Sequence, residues 1–211
     1  HSPNVRDLWY WYLTAPRLLH QAPGDWVMQT TCQVAYPDRP AIGGILLWQD
    51  KWNYLRLDWG ERGQNSVVLQ GCVNNREVVI GCGQLCTATI NLRLERRGSQ
   101  VRALCGDTHG GWYLVGQVDL PPSDPVQVGL FAASNIDRYI YPGHFPAGTA
   151  IRFRNFQQWR PQSGCDRPCP CASRTQPRIV PGGLSIASMP GTVARMPTAI
   201  SVAASNEATS S

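Results

Sequence analysis

The sequence is poor in charge, has almost no lysine and contains no long apolar run. Charged residues make up 16% of the 211-residue chain, against about 25% in an average soluble domain. No apolar stretch approaches the roughly 20 residues that a membrane-spanning helix requires, so we expect no membrane span. Of the 19 basic residues only Lys51 is a lysine, and the arginines form no dense basic block. We therefore expect no nucleic acid partner.

Aromatic residues are absent from the last quarter of the chain. All 19 of them lie between Trp9 and Trp159, whereas residues 160–211 hold seven of the 17 prolines. A segment without aromatic side chains can bury little apolar surface. The sequence therefore predicts one folded domain over residues 1–160, a cysteine-rich connector over 161–171 and an extended C-terminal tail over 172–211.

The eight cysteines divide into five in the predicted domain and three after it. We expect disulfides formed in an oxidising compartment, and hence an extracellular or cell-surface protein. Because both counts are odd, complete pairing would require at least one bridge between domain and tail. Zinc binding by the dense cluster over 165–171 is the less favoured alternative, since a zinc site normally has four Cys or His ligands. The disulfide candidates are Cys32, Cys72, Cys82, Cys86, Cys105, Cys165, Cys169 and Cys171.

Apolar and polar residues alternate through much of the predicted domain. Over residues 54–59 and 90–95 every second residue is apolar, which is the period of a half-buried strand. Glycine and proline pairs at 110–111, 121–122 and 142–143 interrupt the pattern, as turns do between antiparallel strands. The sequence therefore predicts an all-β sandwich or barrel without an amphipathic helix.

Seven segments of the predicted domain carry a resemblance to a known superfamily. They are APRLL (15–19), GDWVM (24–28), GGILLW (43–48), WNYLRL (52–57), LRLER (92–96), WYLVG (112–116) and VQVGLFA (126–132). In combination they resemble the concanavalin A-like lectin/glucanase superfamily, most closely its DUF1349-type module. The resemblance covers about residues 15–159 and implies a jelly-roll β-sandwich of two curved antiparallel sheets, with the tail outside it.

Glucanases of that superfamily cleave a glycosidic bond with two carboxyl groups from a Glu-x-Asp-x-Glu strand. The chain has four glutamates and none lies in such a pattern. Its four histidines are scattered, without a Gly-x-Ser-x-Gly or His-Glu-x-x-His motif. Asp38, Asp107 and Asp137 could bind calcium, but isolated acids at loop ends usually cap turns. We therefore expect a protein that is not an enzyme and needs no cofactor or metal.

Alternating polar side chains on the predicted strands form a candidate carbohydrate-binding face. Tyr54, Arg56 and Asp58 should project from one face of a sheet, beside Arg93 of another strand. Sugars are bound by aromatic faces and planar hydrogen-bonding groups, and these four residues supply both kinds. The competing interpretation is a ladder of ion pairs that solvates the outer face of the sheet.

The tail contains two short alternating patches, one with Leu184 and Ile186 and one with Ile200 and Val202. Such segments can add a strand to an exposed sheet edge. Docking on a neighbouring subunit would create a polymer, whereas docking on the same domain would not. The sequence favours an extracellular structural subunit that assembles with copies of itself, stabilised by disulfides. The alternative is a monomeric carbohydrate-binding module of a secreted protein, with polysaccharide as its partner.

Overall fold

The computed structural model describes residues 8–9, 12–13, 15–36, 41–133, 149–161, 194–195 and 199–204. Every regular element in this part of the chain is a β-strand, so the predicted all-β class is confirmed. The described residues include no helix long and apolar enough to cross a membrane. The strands are β1 (Leu8–Trp9), β2 (Tyr12–Leu13), β3 (Arg17–Ala22), β4 (Trp26–Val34), β5 (Ile42–Asp50), β6 (Asn53–Trp59), β7 (Ser66–Val73), β8 (Arg76–Gln84), β9 (Thr89–Arg97), β10 (Gln100–Gly106), β11 (Trp112–Asp119), β12 (Val126–Ala133), β13 (Thr149–Trp159), β14 (Ala194–Arg195) and β15 (Ala199–Ala204).

Two antiparallel sheets pack face to face. The six-stranded sheet has the order β3-β12-β5-β6-β7-β8, and the seven-stranded sheet has the order β11-β10-β9-β4-β13, with β14 and β15 both paired to β13. The short strands β1 and β2 pair with each other. The predicted sandwich of two antiparallel sheets is therefore confirmed, and the hydrophobic core lies between the sheets.

The core takes one face of each alternating strand. Leu55 and Leu57 of β6 belong to the same buried cluster as Leu92 and Leu94 of β9, and all four side chains are 0% exposed. Burying an aliphatic side chain of this size contributes about 1.5–3 kcal/mol relative to leaving it exposed. The apolar residues of the alternating segments 54–59 and 90–95 are thus the ones whose side chains point between the sheets.

The outer face of the six-stranded sheet is buried as well. A second cluster forms there around Leu46, Tyr54, Cys72 and Phe131. Strand β6 consequently has buried residues on both faces from Tyr54 to Trp59. The expected solvent-facing row of polar side chains on β6 is therefore wrong, because Arg56 and Asp58 are both 0% exposed.

The five described cysteines are free thiols, so the disulfides predicted among Cys32, Cys72, Cys82, Cys86 and Cys105 are not formed. Cys32 and Cys105 both point into the core, but β9 separates their strands. Two strand spacings are about 10 Å, beyond the roughly 4.4–6.8 Å between Cα atoms that a disulfide spans. A buried thiol packs like a small apolar side chain. The extracellular localisation stays a prediction, and Cys165, Cys169 and Cys171 lie outside the described residues.

The tail strand β15 lies against β13 of its own chain. The backbones pair antiparallel from Thr149 opposite Ala204 to Arg154 opposite Ala199. This places Ile200 opposite Phe153 and Val202 opposite Ile151. Leu184 and Ile186 lie outside the described residues, and docking of the tail on a neighbouring subunit stays a prediction.

Candidate functional site

Two hairpin turns form the frame of a pocket at one end of the six-stranded sheet. In the β5–β6 turn, the carboxylate Oδ1 of Asp50 accepts a hydrogen bond from the backbone N–H of Trp52 at 2.6 Å. In the β7–β8 turn, Asn74 and Asn75 have φ values of 52° and 60°. Two successive left-handed residues are typical of a two-residue type I′ turn, in which asparagine is favoured.

Hydrogen bonds hold the two turns together. The backbone N–H of Asn75 donates to the carbonyl of Trp52 at 3.1 Å. The backbone N–H of Asn74 donates to Oδ1 of Asn53 at 2.9 Å. These contacts fix one hairpin relative to the other, so the pocket between them is formed in advance of any ligand.

The pocket, which we call the hairpin pocket, has a volume of about 500 Å³. This lies within the usual range of small-molecule sites, about 300–1,000 Å³. Its described lining combines two aromatic rings, a thiol and four polar or charged side chains. The lining residues are Lys51, Trp52, Tyr54, Cys72, Asn75, Arg76 and Glu77.

The floor of the hairpin pocket is a row of residues that the register sets side by side. Tyr54 lies opposite Cys72, and Cys72 lies opposite Glu77. The Tyr54 ring stacks on Trp48 with a centroid distance of 5.4 Å. The guanidinium of Arg17 lies 4.6 Å from the centre of the Trp48 ring. The Trp48 ring thus contacts both Tyr54 and Arg17, and these two contacts support the floor of the pocket.

The wall of the hairpin pocket presents an exposed indole. Trp52 is 38% exposed, and Nζ of Lys51 lies 4.3 Å from the centre of its ring. At the floor, burial raises the pKa of the Cys72 thiol, and the carboxylates of Glu77 and Asp50 raise it further. A neutral thiol is a weak nucleophile, so the pocket is equipped for stacking and hydrogen bonding rather than thiol chemistry.

A buried polar cluster adjoins the floor along β6. Nε of Arg56 lies 3.2 Å from Oδ2 of Asp58, and its Nη2 lies 2.7 Å from Oε1 of Glu61. The amide nitrogen of Gln70 donates to Oδ2 of Asp58 at 2.5 Å and to Oε2 of Glu61 at 2.6 Å. Arg56 and Gln70 thus hold the buried carboxyl group of Asp58 beside the partly exposed carboxylate of Glu61.

Burial raises the pKa of Asp58 well above its usual range, and the adjacent Glu61 carboxylate raises it further. The Arg56 guanidinium acts in the opposite direction but is shared between two carboxylates. For this buried carboxyl group, the effect of desolvation on the pKa is larger than that of the Arg56 charge. Asp58 therefore holds a proton in the folded protein at pH values where an exposed aspartate is ionised.

The wild type should lose stability as the pH rises, and Asp58→Asn should lose less. At a pH above the usual aspartate pKa near 3.8, Asp58 releases its proton in the unfolded state and keeps it in the folded state. Stability then falls with rising pH, by about 1.4 kcal/mol per pH unit for one proton, until the folded-state value is passed. Urea unfolding of both proteins from pH 4 to 8 measures the difference. Asp119→Asn, at an exposed position, is the control, and equal slopes for wild type and Asp58→Asn would contradict the assignment.

Arg93 lies on the other sheet, so the four predicted carbohydrate-binding residues do not form one face. Its guanidinium lies 5.5 Å from the ring centre of Trp112 and 5.3 Å from that of Trp159. Its Nε lies 2.9 Å from a carboxylate oxygen of Glu95. Of the four, Tyr54 lines the hairpin pocket, Arg56 and Asp58 form the buried cluster, and Arg93 is distant from both.

Sequence reasoning did not single out Lys51, Trp52, Asn75, Arg76 or Glu77 as site residues. The signal available was the pair Asn74-Asn75 between two alternating segments, which marks a tight hairpin. A hairpin at that point places β8 beside β7 and brings Glu77 opposite Cys72. The proximity of this turn to the β5–β6 turn follows from the sheet order and has no signature in the sequence.

The described residues include no group of three or more His, Cys, Asp or Glu side chains that could hold a metal ion. Oδ1 of Asp107 accepts a hydrogen bond from the backbone N–H of His109 at 2.8 Å, which is the role of a turn cap. Asp38 and Asp137, the other two acids considered for calcium, lie outside the described residues.

Comparisons with known proteins identify the fold and no family. No protein-family model and no curated protein sequence matches the chain. A functionally unknown protein from Saccharomyces cerevisiae is similar in structure, with 16% identity and a TM-score of 0.57 over 70% of this chain and 76% of that one. The carbohydrate-binding module CBM66 from Bacillus subtilis has 15% identity and a TM-score of 0.44 over 66% and 76%. The GH43 protein BlXynB from Bacillus licheniformis has 11% identity and a TM-score of 0.49 over 65% and 31%.

At such identities a likeness shows the fold alone. The yeast structure is consistent with the two-sheet architecture described above, and membership of the concanavalin A-like superfamily stays a prediction. The chain spans less than a third of the GH43 protein. The specific likeness to a DUF1349-type module stays a prediction.

Proposed function

We propose that the protein is a non-catalytic carbohydrate-binding module that holds a sugar residue in the hairpin pocket. The observation that carries the proposal is the partly exposed Trp52 side chain beside planar polar groups, in a pocket framed by two turns that hydrogen bonds hold together. A preformed site loses little conformational entropy when the ligand enters.

The chemistry of the lining suits a sugar. A pyranose ring has an apolar face of C–H groups, which packs on the face of an aromatic ring such as Trp52. Its hydroxyl groups both donate and accept hydrogen bonds. The amide of Asn75 does the same, the guanidinium of Arg76 donates and the carboxylate of Glu77 accepts. Because the lining contains both signs of charge, the pocket is suited to an uncharged sugar.

The non-catalytic part of the proposal rests on the carboxyl groups. Glycoside cleavage uses two carboxyl groups about 5–5.5 Å or 6.5–9.5 Å apart across the scissile bond. Glu77 is the one carboxylate among the described lining residues of the pocket. Asp58 is fully buried and paired with Arg56, so a substrate would not reach it.

Trp52→Ala should weaken carbohydrate binding about tenfold or more, because a stacked ring supplies roughly 1.4 kcal/mol or more of the binding free energy. Folding should be little affected, since the ring is partly exposed and packs against the flexible Lys51 side chain. Affinity gel electrophoresis against a panel of neutral polysaccharides identifies the ligand. Calorimetry with an oligosaccharide of that ligand measures the change.

Tyr113→Ala is the matched control, because Tyr113 is 55% exposed and lies on β11 of the other sheet. Its removal should leave the affinity unchanged. The proposal fails if no neutral polysaccharide on a broad panel binds the wild type. It also fails if Trp52→Ala binds as tightly as Tyr113→Ala.

Self-assembly through the tail has no support among the described residues. Strand β15 pairs with β13 of the same chain. The carbohydrate-binding proposal needs no contact between copies of the chain, so we place the hairpin pocket first.

A further inference from the structure

The outer face of the seven-stranded sheet collects arginines from three strands. On β13, exposed Arg152 and Arg154 alternate with buried Ile151 and Phe153. On β9 and β10 the same alternation turns further arginines outward, opposite to the core residues of those strands. We call this surface the arginine face, and its members are Arg93, Arg97, Arg102, Arg152 and Arg154.

The arginine face is strongly unbalanced in charge. Its described carboxylates are those of Glu95 and Asp119, and Asp25 lies at its edge, where its Oδ1 accepts a hydrogen bond from the backbone N–H of Gly98. Glu95 lies 2.9 Å from Arg93 and 3.9 Å from Arg102, and Asp119 accepts a hydrogen bond from Ser99. No described carboxylate forms an ion pair with Arg97, Arg152 or Arg154.

Two tryptophans hold the centre of the arginine face in place. The guanidinium of Arg93 lies between the rings of Trp112 and Trp159, within about 5.5 Å of both ring centres. Such contacts between a guanidinium and an aromatic ring are attractive and restrict the side chain. On β4, which runs between β9 and β13, half-buried Gln29 and Thr31 add neutral hydrogen-bonding groups. The face therefore combines fixed cations with aromatic and amide surfaces.

We propose that the arginine face binds an acidic polysaccharide that carries carboxylates, a polyuronate. Guanidinium groups match carboxylates in a bidentate geometry, and all the cations of this face are arginines. Strand residues on one face are about 7 Å apart and neighbouring strands about 4.8 Å apart, so the cations are sparse and lie on a flat surface. This pattern suits a flexible chain with about one charge per sugar. Double-stranded DNA presents one charge per roughly 1.7 Å and calls for a denser basic surface.

This site is separate from the hairpin pocket in place and in chemistry. The hairpin pocket lies at one end of the six-stranded sheet and is suited to an uncharged sugar, whereas the arginine face lies on the seven-stranded sheet. Either site can fail its test without affecting the other.

The probe is polygalacturonate, with fully methyl-esterified polygalacturonate as the uncharged comparison. We expect polygalacturonate to bind at low salt at least tenfold more tightly than the ester, and to weaken as sodium chloride is raised. The double variant Arg152→Gln/Arg154→Gln should lose about tenfold in affinity. Arg62→Gln removes one exposed positive charge from the β6–β7 loop and is the control for each single variant, Arg152→Gln and Arg154→Gln.

Three results would overturn the proposal. The first is equal binding of polygalacturonate and its ester. The second is the same small loss for Arg154→Gln as for Arg62→Gln, which would indicate attraction by net charge alone. The third is tighter binding of DNA than of polygalacturonate at the same salt concentration. Trp52→Ala should keep full affinity for polygalacturonate, which separates this outcome from failure of the hairpin pocket.

Discussion

Arg56→Met should lower the free energy of unfolding by about 3–5 kcal/mol at neutral pH. The arginine is 0% exposed and is paired with Asp58 and Glu61. Methionine fills a similar volume without a charge, so Asp58 loses its cation inside the protein and Glu61, which is 27% exposed, loses a partner at the edge of the cluster. Removing one partner of a buried ion pair is far more costly than never having formed it, because the remaining charge has neither water nor counter-charge.

Urea unfolding monitored by tryptophan fluorescence measures the change. Arg62→Met, at an exposed position in the β6–β7 loop, is the matched control and should change stability by less than about 0.5 kcal/mol. The loss in Arg56→Met should be smallest toward pH 4, where Asp58 is protonated with or without Arg56, and should grow as the pH rises, because Arg56 favours the ionised form of Asp58. A loss that is small, or that does not depend on pH, would contradict the role of Arg56 as the shared cation of this cluster.

Tyr54→Ala should lower the free energy of unfolding by about 3–5 kcal/mol, as large-to-small substitutions of buried aromatic residues do. Tyr54 is 1% exposed and stacks on Trp48 within the outer cluster. Alanine would leave a cavity between Trp48, Cys72 and the cluster beneath. The floor of the hairpin pocket would be lost with it, so carbohydrate binding should fall as well.

Trp52→Ala is the companion variant, since Trp52 lines the same pocket but is partly exposed. Thermal unfolding and calorimetric binding on both variants separate the two roles. We expect Tyr54→Ala to lose stability and affinity together, and Trp52→Ala to lose affinity alone. If Tyr54→Ala unfolds at the wild-type temperature, the ring does not support the outer cluster and the pocket has a different floor.

Some of the strands could be predicted from the sequence. The alternation over residues 54–59 and 90–95 places every second side chain in the core, and the structure has β6 and β9 over those residues. Alternation is a local property, because successive side chains of a strand point to opposite faces. It therefore needs no knowledge of which strand lies alongside.

The exposure of the second face of each strand could not be predicted in the same way. Tyr54, Arg56 and Asp58 share one face of β6, as their spacing indicates, but that face is buried. The polar residues on β9 have the same alternation and face outward, with Arg93 partly exposed. Whether polar residues form a solvated row or a buried cluster depends on what packs over the sheet.

The cysteines show the same limit. Their number and division along the chain favoured disulfides, yet the five described thiols are free. Pairing requires two Cβ atoms within about 4.5 Å. That distance depends on strand order, which is unrelated to spacing along the chain.

The sequence by itself determined the all-β class, the strands over residues 54–59 and 90–95 and the set of residues on each face of those strands, because each of these depends on side-chain periodicity along a few residues. The tertiary structure alone decided that the turns at Lys51–Trp52 and Asn74–Asn75 meet to form a pocket. It also decided that Arg56 and Asp58 are buried and that arginines from three strands share one surface. These features join residues that are far apart in the chain, and the strand order that brings them together is set by packing of the whole sandwich.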